Sequence, residues 1–358
     1  MKTAQFTPNG LPTLIGSLPV RAPSEALDLI FAHTPRIPLW PQLPGIPQEG
    51  MLQQFIEGFP GIIEEQDKTY FNTLSDTFEE EILAFFEEYL ALADDPSGIL
   101  SSRFGVSESR ARGLYTFKKS IQSKDNISAL KGQITGPFTL LTGLYDQDQR
   151  LGYYDPTIRE MAVKGLAMKS AWQINFLKDA GYPVILFIDE PALAGLGSSA
   201  FISVSKEDIS QDLTELITAI HQNDGLAGVH VCANTDWNLL LSLDLDVISF
   251  DAYSFFDRFA INTEQVNAYL DRGGIIAWGL VPTSEKEYIL KETIESLVKR
   301  WEEQADLLVN DQRDRKALLQ QTLITPSCGT GSLTYDLAIK VLELTRDLSA
   351  ALRNKYLA

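Results

Sequence analysis

Short apolar runs recur along the chain, each followed by a polar turn and then by an amphipathic stretch. A short apolar run bounded by turn residues predicts a buried strand, and strands that alternate with helices predict a parallel sheet covered by helices. A set of eight such strands is typical of a (β/α)8 TIM barrel. The predicted strands are residues 13–16, 37–40, 130–134, 183–188, 227–231, 247–250, 275–278 and 322–325.

The stretches between these strands repeat apolar residues every 3.6 positions, which predicts amphipathic helices. Ser205 is predicted as an N-cap, with the acidic Asp208 three residues on. Residues 41–119, between the second and third strands, are predicted as a mostly helical insertion that covers one face. Composition indicates no second domain, so 1–358 is predicted to be one domain. The predicted helices are 77–92, 157–178, 205–221, 285–308 and 334–352.

The composition of the chain limits the kinds of molecule that the protein is expected to bind. The chain has 30 Lys and Arg against 48 Asp and Glu, a net charge of −18, which argues against nucleic acid or an anionic membrane as a partner. The first eight residues contain no apolar signal core, and no apolar run approaches the ~20 residues that span a bilayer. We therefore expect a cytoplasmic protein. In that reducing compartment its two cysteines indicate a metal or catalytic pair rather than a disulfide.

Residues that can take part in catalysis, ligand binding or tight turns lie at the ends of the predicted strands. In a barrel of this kind the functional residues lie at the carboxyl ends of the strands, so distant parts of the chain converge there. The residues at these ends are Gly16, Ser17, Trp40, Gly136, Asp189, Glu190, His230, Cys232, Asp251, Gly279 and Cys328.

Three of these residues predict a zinc site. Zinc takes Cys thiolates and His imidazole in tetrahedral geometry, and a catalytic site keeps three protein ligands and one exchangeable position. His230, Cys232 and Cys328 supply the three ligands, and Asp251 either occupies the exchangeable position or orients a ligand.

Each residue also has a structural alternative. Buried cysteines are common as small apolar side chains, and a lone histidine often only packs in a core. Ser17 and Asp251 are also suited to capping or turns. Asp189 and Glu190 are equally compatible with a solvated loop start before Pro191.

Six short segments of the chain form a recognisable set. They are Ile-Gly-Ser-Leu-Pro at 15–19, Thr-Gly-Pro-Phe-Thr at 135–139, Ile-Asp-Glu-Pro-Ala-Leu at 188–193, His-Val-Cys at 230–232, the run 243–251 that ends in Asp251, and Pro-Ser-Cys-Gly at 326–329. Together they resemble cobalamin-independent methionine synthase, in the family's order and at comparable spacing. The resemblance covers essentially the whole chain, although only the C-terminal catalytic barrel of that enzyme. The wider superfamily also contains uroporphyrinogen decarboxylase, which uses no metal, and corrinoid-dependent methyltransferases.

The resemblance implies a methyltransferase that acts on homocysteine. In that family a His, a Cys, an acidic residue and a second Cys bind the zinc that activates the thiol, which implies His230, Cys232, Asp251 and Cys328 here. It further implies that Gly16 and Ser17 hold homocysteine, and that Asp189, in the segment shared with Glu190, contacts its amino group.

Departures from the family change the expected methyl donor. The acidic ligand there is Glu, one methylene longer than Asp251, and its acidic anchor for the substrate amine has Glu49 as the nearest counterpart. The family's catalytic histidine is absent from the matching segment 277–283, and the folate-binding N-terminal half has no counterpart. An amine leaving group needs a proton whereas a corrinoid does not, so we expect a methylcorrinoid, carried by a corrinoid protein, rather than methyl-tetrahydrofolate.

Two other functions remain open on the sequence. One is a corrinoid-linked methyltransferase of the coenzyme M type, and the other is a barrel that binds zinc or a thiol without turnover. Asp189 favours homocysteine over a sulfonate thiol, because an ammonium group pairs with a carboxylate and a sulfonate pairs with a cation.

Overall fold

The structure, a computed structural model, describes residues 6–65 and 68–358. Residues 66–67 lie outside the described residues, as do 1–5, which include most of the stretch searched for a signal core. The strands are β1 (Ile62–Glu65), β2 (Lys68–Phe71), β3 (Leu130–Thr135), β4 (Tyr145–Asp146), β5 (Val184–Asp189), β6 (Leu226–Val231), β7 (Val247–Phe250), β8 (Ile275–Val281) and β9 (Thr322–Pro326). The α-helices are α1 (Pro23–His33), α2 (Phe78–Asp94), α3 (Arg112–Ile121), α4 (Pro137–Gly143), α5 (Pro156–Lys178), α6 (Lys206–Gln222), α7 (Trp237–Ser242), α8 (Ala252–Ala260), α9 (Thr263–Asp271), α10 (Lys286–Lys291), α11 (Ile294–Ala305), α12 (Arg315–Gln320) and α13 (Tyr335–Tyr356).

A curled parallel sheet of six strands forms the centre of the molecule, in the order β3-β5-β6-β7-β8-β9. Its strands confirm six of the eight predicted ones, with no end shifted by more than three residues. They are buried on both faces and mostly apolar, as is typical of parallel strands covered by helices. Neighbours in sequence are neighbours in the sheet, so all six carboxyl ends lie at one edge.

The first two predicted strands do not form regular strands. Residues 13–16 and 37–40 lie next to isolated parallel bridges, in which Pro12 pairs with Ile324 on β9 and Leu39 pairs with Lys131 on β3. Proline lacks a backbone N–H and interrupts a hydrogen-bond ladder. Pro12, Pro38 and Pro41 therefore limit these segments to single bridges at the two open edges of the sheet.

Two predicted helical features have clear outcomes. Ser205 Oγ accepts a hydrogen bond from the Asp208 N–H at the start of α6, which confirms the predicted cap. The single helix predicted at 285–308 is wrong, because the chain forms α10 and α11 with a break between them. Thr293 and Ser296 cap each other's backbone N–H groups there, and this capping box starts a new helix.

The insertion at 41–119 is less helical than predicted. It contains α2, α3 and short 3₁₀ turns, but also the antiparallel hairpin β1–β2, whose second strand pairs with β4. The Tyr89 hydroxyl of α2 donates to Glu215 on α6, so this helix packs against the outer helices. Only Gln42 and Met51 of this stretch line the cavity described below.

Alternation along the strands separates two apolar clusters. The larger lies between the sheet and the helices, and it contains Trp40 and Trp278, which pack there and not at the mouth of the site. The smaller lies on the inner face, where Ile185 and Phe187 of β5 meet alternate residues of the other strands. Asp189 follows in the same alternation, so it continues this inner face at the carboxyl edge. Among the described helices, none is both long and apolar enough to cross a membrane.

Candidate metal centre

His230, Cys232 and Cys328 meet at the carboxyl edge of the sheet. Their potential ligand atoms all lie within 4.8 Å of one another. His230 is the second-last residue of β6, Cys232 follows the strand's last residue, and Cys328 lies two residues beyond β9. In residues 6–65 and 68–358, no other set of three or more His, Cys, Asp or Glu side chains is close enough to share an ion.

A contact with the neighbouring strand holds the imidazole of His230 in one orientation. Its Nδ1 is 3.0 Å from Ser249 Oγ on the neighbouring strand β7, and the ring is buried. Its Nε2 has no hydrogen-bond partner in the described part of the chain. A metal-binding histidine typically uses one ring nitrogen as a donor to a fixed partner and the other as a ligand, and this ring has that arrangement.

The two thiols have opposite electrostatic environments. The neighbouring side chains of Cys328 and His230 lower the pKa of Cys232 to about 4, despite its burial. The same pairing with Cys232, together with burial, raises the pKa of Cys328 above its ordinary value. Cys232 is therefore the thiol that ionises first. One ready thiolate, a second thiol and an unpartnered imidazole nitrogen fit the donor set that zinc takes.

Asp251 lies immediately after β7 and is buried, but it is not one of the three clustered side chains. Its Oδ1 accepts a hydrogen bond of 2.9 Å from the Ser254 N–H and so caps α8. Burial raises the pKa of Asp251, and the backbone N–H of Ser254 opposes the rise. The capping alternative is therefore confirmed, and direct ligation remains a prediction.

A small cavity of about 50 Å3 adjoins the three residues, with room for a few water-sized groups. Gly16, Ser17 and Asp189 line it, as the sequence predicts for substrate-binding residues. Ser17 Oγ accepts from the Gly331 N–H, and a Cβ at Gly329 would lie 2.1 Å from the same oxygen. A glycine after Cys328 is therefore needed for this close approach.

The carboxyl group of Asp189 is the polar wall of this cavity. Its Oδ1 is buried and has no hydrogen-bond partner within the described ranges. Burial raises the pKa of Asp189 to about 6, opposed by the charges of His230 and Lys131. A buried acceptor without a donor is uncommon in folded proteins, so this oxygen is positioned to take a donor from a ligand.

Glu190 has a different environment from the one expected of a substrate-binding residue. It is fully buried, and its two oxygens accept from the Phe138 N–H at 3.0 Å, the Thr139 N–H at 2.8 Å and the Thr139 hydroxyl at 2.6 Å. A Cβ at Gly136 would lie 2.2 Å from this carboxyl group. The carboxyl of Glu190 thus faces the start of α4 rather than the cavity.

The family resemblance also draws attention to Glu49 and to the segment after β8. Glu49 is buried, and its Oε1 accepts from the Arg112 N–H at 3.3 Å, while Oε2 has no hydrogen-bond partner in 6–65 and 68–358. Burial raises the pKa of Glu49 to about 7. After β8, in the segment without a histidine, Thr283 Oγ1 lies 2.9 Å from Ser327 Oγ.

Sequence reasoning missed Ser249 and Lys131. Both lie on the inner face. Ser249 on β7 alternates with Asp251, which follows that strand, and Lys131 alternates with Thr135 on β3. A polar residue at every second position of an otherwise apolar strand is the signal that identifies them.

A much larger groove lies elsewhere, so volume and reactive chemistry do not coincide in this molecule. It has a volume of about 720 Å3 and lies between α2, α5 and α6, on the outside of the sheet. Its lining includes Tyr89, Met168 and Glu215, but none of the three clustered residues. We assign the site by its chemistry, since an unpartnered imidazole beside two thiols is a stronger indication than volume.

Comparisons with known proteins give one informative match. No model of a known protein family matches the chain. The chain is 26% identical over 258 residues to the methionine synthase of Methanocaldococcus jannaschii, which covers 68% of this chain and 75% of that protein. The chain is therefore similar to a methionine synthase.

Proposed function

We propose that the protein is a zinc-dependent methyltransferase that transfers a methyl group to a thiol, with homocysteine as the acceptor and methionine as the product. The observation that carries this proposal is the meeting of His230, Cys232 and Cys328 beside the unpaired carboxyl oxygen of Asp189. The similarity to a methionine synthase supports it independently of the geometry.

His230, Cys232 and Cys328 would hold zinc, with Asp251 as a carboxylate that reaches the exchangeable position. Zinc bound there would keep the sulfur of the substrate deprotonated near neutral pH. The contact of Nδ1 with Ser249 would fix the imidazole and leave Nε2 available to bind the ion. The thiolate of Cys232 is available without strong base because its pKa is low.

Asp189 selects the acceptor. Its free Oδ1 is placed to accept from an ammonium group, which homocysteine carries. A sulfonate thiol of the coenzyme M type would place a second negative charge beside this carboxylate. Gly16 and Ser17 line the same cavity and would hold the amino acid through backbone and hydroxyl groups. Glu190 supports the strand end and does not bind the substrate.

The donor that we propose is a methylcorrinoid, presented by a corrinoid protein. A folate nitrogen must gain a proton as it leaves, and the segment 277–283 offers no histidine. The substrate sulfur attacks the methyl carbon, the carbon–cobalt bond breaks, and its electron pair stays on cobalt. No proton is needed at the leaving group.

The architecture that we propose for this chemistry is a (β/α)8 barrel over residues 1–358. The bridge of Pro12 to β9, the bridge of Leu39 to β3 and the bridge of Ser17 to Gln42 support closure of the six-stranded sheet by two further segments. Such closure brings Ser17 and Cys328, more than 300 residues apart, to the same rim.

The metal and the acceptor are tested together by zinc content and zinc-edge absorption spectroscopy. The expected result is about one zinc per chain with two sulfur ligands and at least one nitrogen ligand, and a third sulfur after homocysteine is added. Cys328→Ala should lose most of the metal while its circular dichroism stays that of the wild type. Wild-type zinc content in Cys328→Ala would remove the ligand assignment.

The donor is tested by assays of the zinc-loaded protein with homocysteine and either methylcobalamin or methyl-tetrahydrofolate. We expect methionine from methylcobalamin only. Turnover with methyl-tetrahydrofolate alone would refute the corrinoid donor but leave the thiol acceptor intact. A third sulfur ligand without turnover with either donor would instead indicate a barrel that binds thiols without catalysis.

A further inference from the structure

A lysine lies buried on the inner face of the sheet, below the cavity. Lys131 on β3 has no exposed surface, and its side chain shares the inner face with Phe187, whose ring centroid is 4.3 Å from Nζ. Ala129, just before β3, and Ile185, opposite Lys131 on β5, belong to the apolar cluster of the same face. A charged group in these surroundings is unusual, because lysine is rarely buried without a paired partner.

The ammonium of Lys131 has one hydrogen-bond acceptor among the described residues, the backbone carbonyl of Ile15. Ile15 begins the strip 15–18, three of whose residues line the cavity. This strip is not part of a regular strand. Its position depends on single contacts, which makes each of them important.

Other hydrogen bonds hold the remaining residues of the strip, Gly16, Ser17 and Leu18. Gln42 bonds to Gly16 O and to the Leu18 N–H through its backbone, and the Thr330 N–H donates to Ser17 O at 2.9 Å. Lys131 is therefore the contact that fixes the strip at Ile15, next to the inner face.

An apolar residue would fill the position of Lys131 at lower cost to folding. Replacing a buried charge by an apolar side chain of similar volume is often neutral or stabilising. We attribute the cation to the cavity, because the strip that Lys131 anchors lines the same cavity as His230 and Asp189, and the charge of Asp189 acts on Lys131. Stability alone does not account for this lysine.

We infer that Lys131 is a positioning residue, whose buried ammonium holds the Ile15 carbonyl and so fixes the strip 15–18 as a wall of the cavity that Asp189 also lines. This inference deepens the proposed function, since the strip is the wall that would hold the amino-acid part of the acceptor. Lys131 itself touches no substrate.

The chain offers a matched control. Lys169 on α5 is also fully buried and also donates to a single carbonyl, that of Gly105 at 3.2 Å, but it lies outside the sheet and away from the cavity. Lys131→Met and Lys169→Met remove the same charge from equally buried positions. Only the first should affect the site.

Hydrogen–deuterium exchange of the wild-type and variant proteins tests the inference without any substrate. In Lys131→Met we expect amides in the peptide covering 11–20 to exchange about tenfold faster or more, with zinc content unchanged. In Lys169→Met the same peptide should exchange at the wild-type rate. Wild-type exchange in Lys131→Met, or equal acceleration in both variants, would overturn the inference.

Kinetics with homocysteine provide the second readout. Lys131→Met should raise KM for the thiol about 10-fold to 100-fold and change kcat much less, because a misplaced wall weakens binding. A proportional loss of kcat at unchanged KM would show a purely structural role. If the wild type has no methyltransferase activity, the proposed function fails and the exchange experiment alone decides the role of Lys131.

A second variant keeps the test valid if Lys131→Met does not fold. Lys131→Gln keeps a polar side chain, but its amide stops one atom short of the ammonium position. Its 11–20 peptide should also exchange faster than in the wild type. Wild-type exchange there would overturn the inference.

Discussion

Two adjacent carboxyl groups at the end of β5 lie on opposite sides of the sheet. Asp189 faces the cavity, and its Oδ1 has no partner in the part of the chain that the structure describes. Glu190 faces α4 and accepts three hydrogen bonds. Successive side chains in a strand point to opposite faces, so one position in the sequence separates a candidate substrate ligand from a structural anchor.

The comparison shows where the molecule tolerates an unsatisfied group. Both carboxyl groups are buried, and burial raises the pKa of Asp189 to about 6 and that of Glu190 to about 7. Glu190 satisfies the N–H groups that begin α4, which no residue of that helix can satisfy. Asp189 gains no such bond, so its cost to folding is offset only when a ligand provides a donor.

The largest expected effect on this comparison comes from Glu190→Gln. The glutamine amide places an NH2 group against the N–H of Phe138 or Thr139, so at least one backbone donor is left unpaired. We expect the free energy of unfolding to fall by about 1–3 kcal/mol at pH 5.5, measured by urea denaturation. An unchanged midpoint would show that Glu190 does not anchor α4.

Asp189→Asn is the matched change on the cavity side. Because Oδ1 accepts no bond from the described residues, the unfolding free energy should change by less than about 1 kcal/mol. The loss of a charged partner for the substrate ammonium should raise KM for homocysteine about 10-fold to 100-fold. If Asp189→Asn instead lost as much stability as Glu190→Gln and left KM unchanged, Asp189 would be a structural anchor and not a substrate ligand.

The sequence predicted the regular half of the fold well and the rest less well. Strands β5 and β8 are almost entirely apolar runs, and the other strands of this sheet are largely buried segments with polar residues at some positions; short apolar runs predict buried parallel strands directly. The runs at 13–16 and 37–40 are similar in composition, but neighbouring prolines reduce them to single bridges. The hairpin β1–β2, which begins Ile-Ile-Glu-Glu, was missed because it lacks a clear alternation.

The three clustered side chains of the candidate site were predicted from the sequence, but the residues that hold the site in place were not. His230, Cys232 and Cys328 are rare residue types at strand ends, and they do meet. The roles of Glu190 and Lys131 depend on the strand face and on which distant backbone atoms lie opposite, namely those of α4 and of Ile15. Spacing along the chain does not contain that information, although strand alternation identifies the face.

The smallest expected effect is a pH dependence of stability on the helix side. Burial keeps Glu190 protonated in the folded protein up to about pH 7, whereas the unfolded side chain loses its proton near 4.5. Between these values the native state binds more protons, so stability falls as pH rises, by at most about 1.4 kcal/mol per pH unit. Glu190→Gln cannot titrate and should lack this contribution.

Comparing the two proteins isolates Glu190 from the other raised carboxyl groups, Asp189 and Glu49, which titrate in both. Urea unfolding at pH 5, 6 and 7 should show a wild-type slope that is steeper than the slope of Glu190→Gln. The destabilisation caused by the substitution should therefore shrink towards pH 7, since the wild type has by then lost the stability of the protonated form. Parallel slopes would mean that Glu190 is ionised throughout, and that its three donors outweigh its burial.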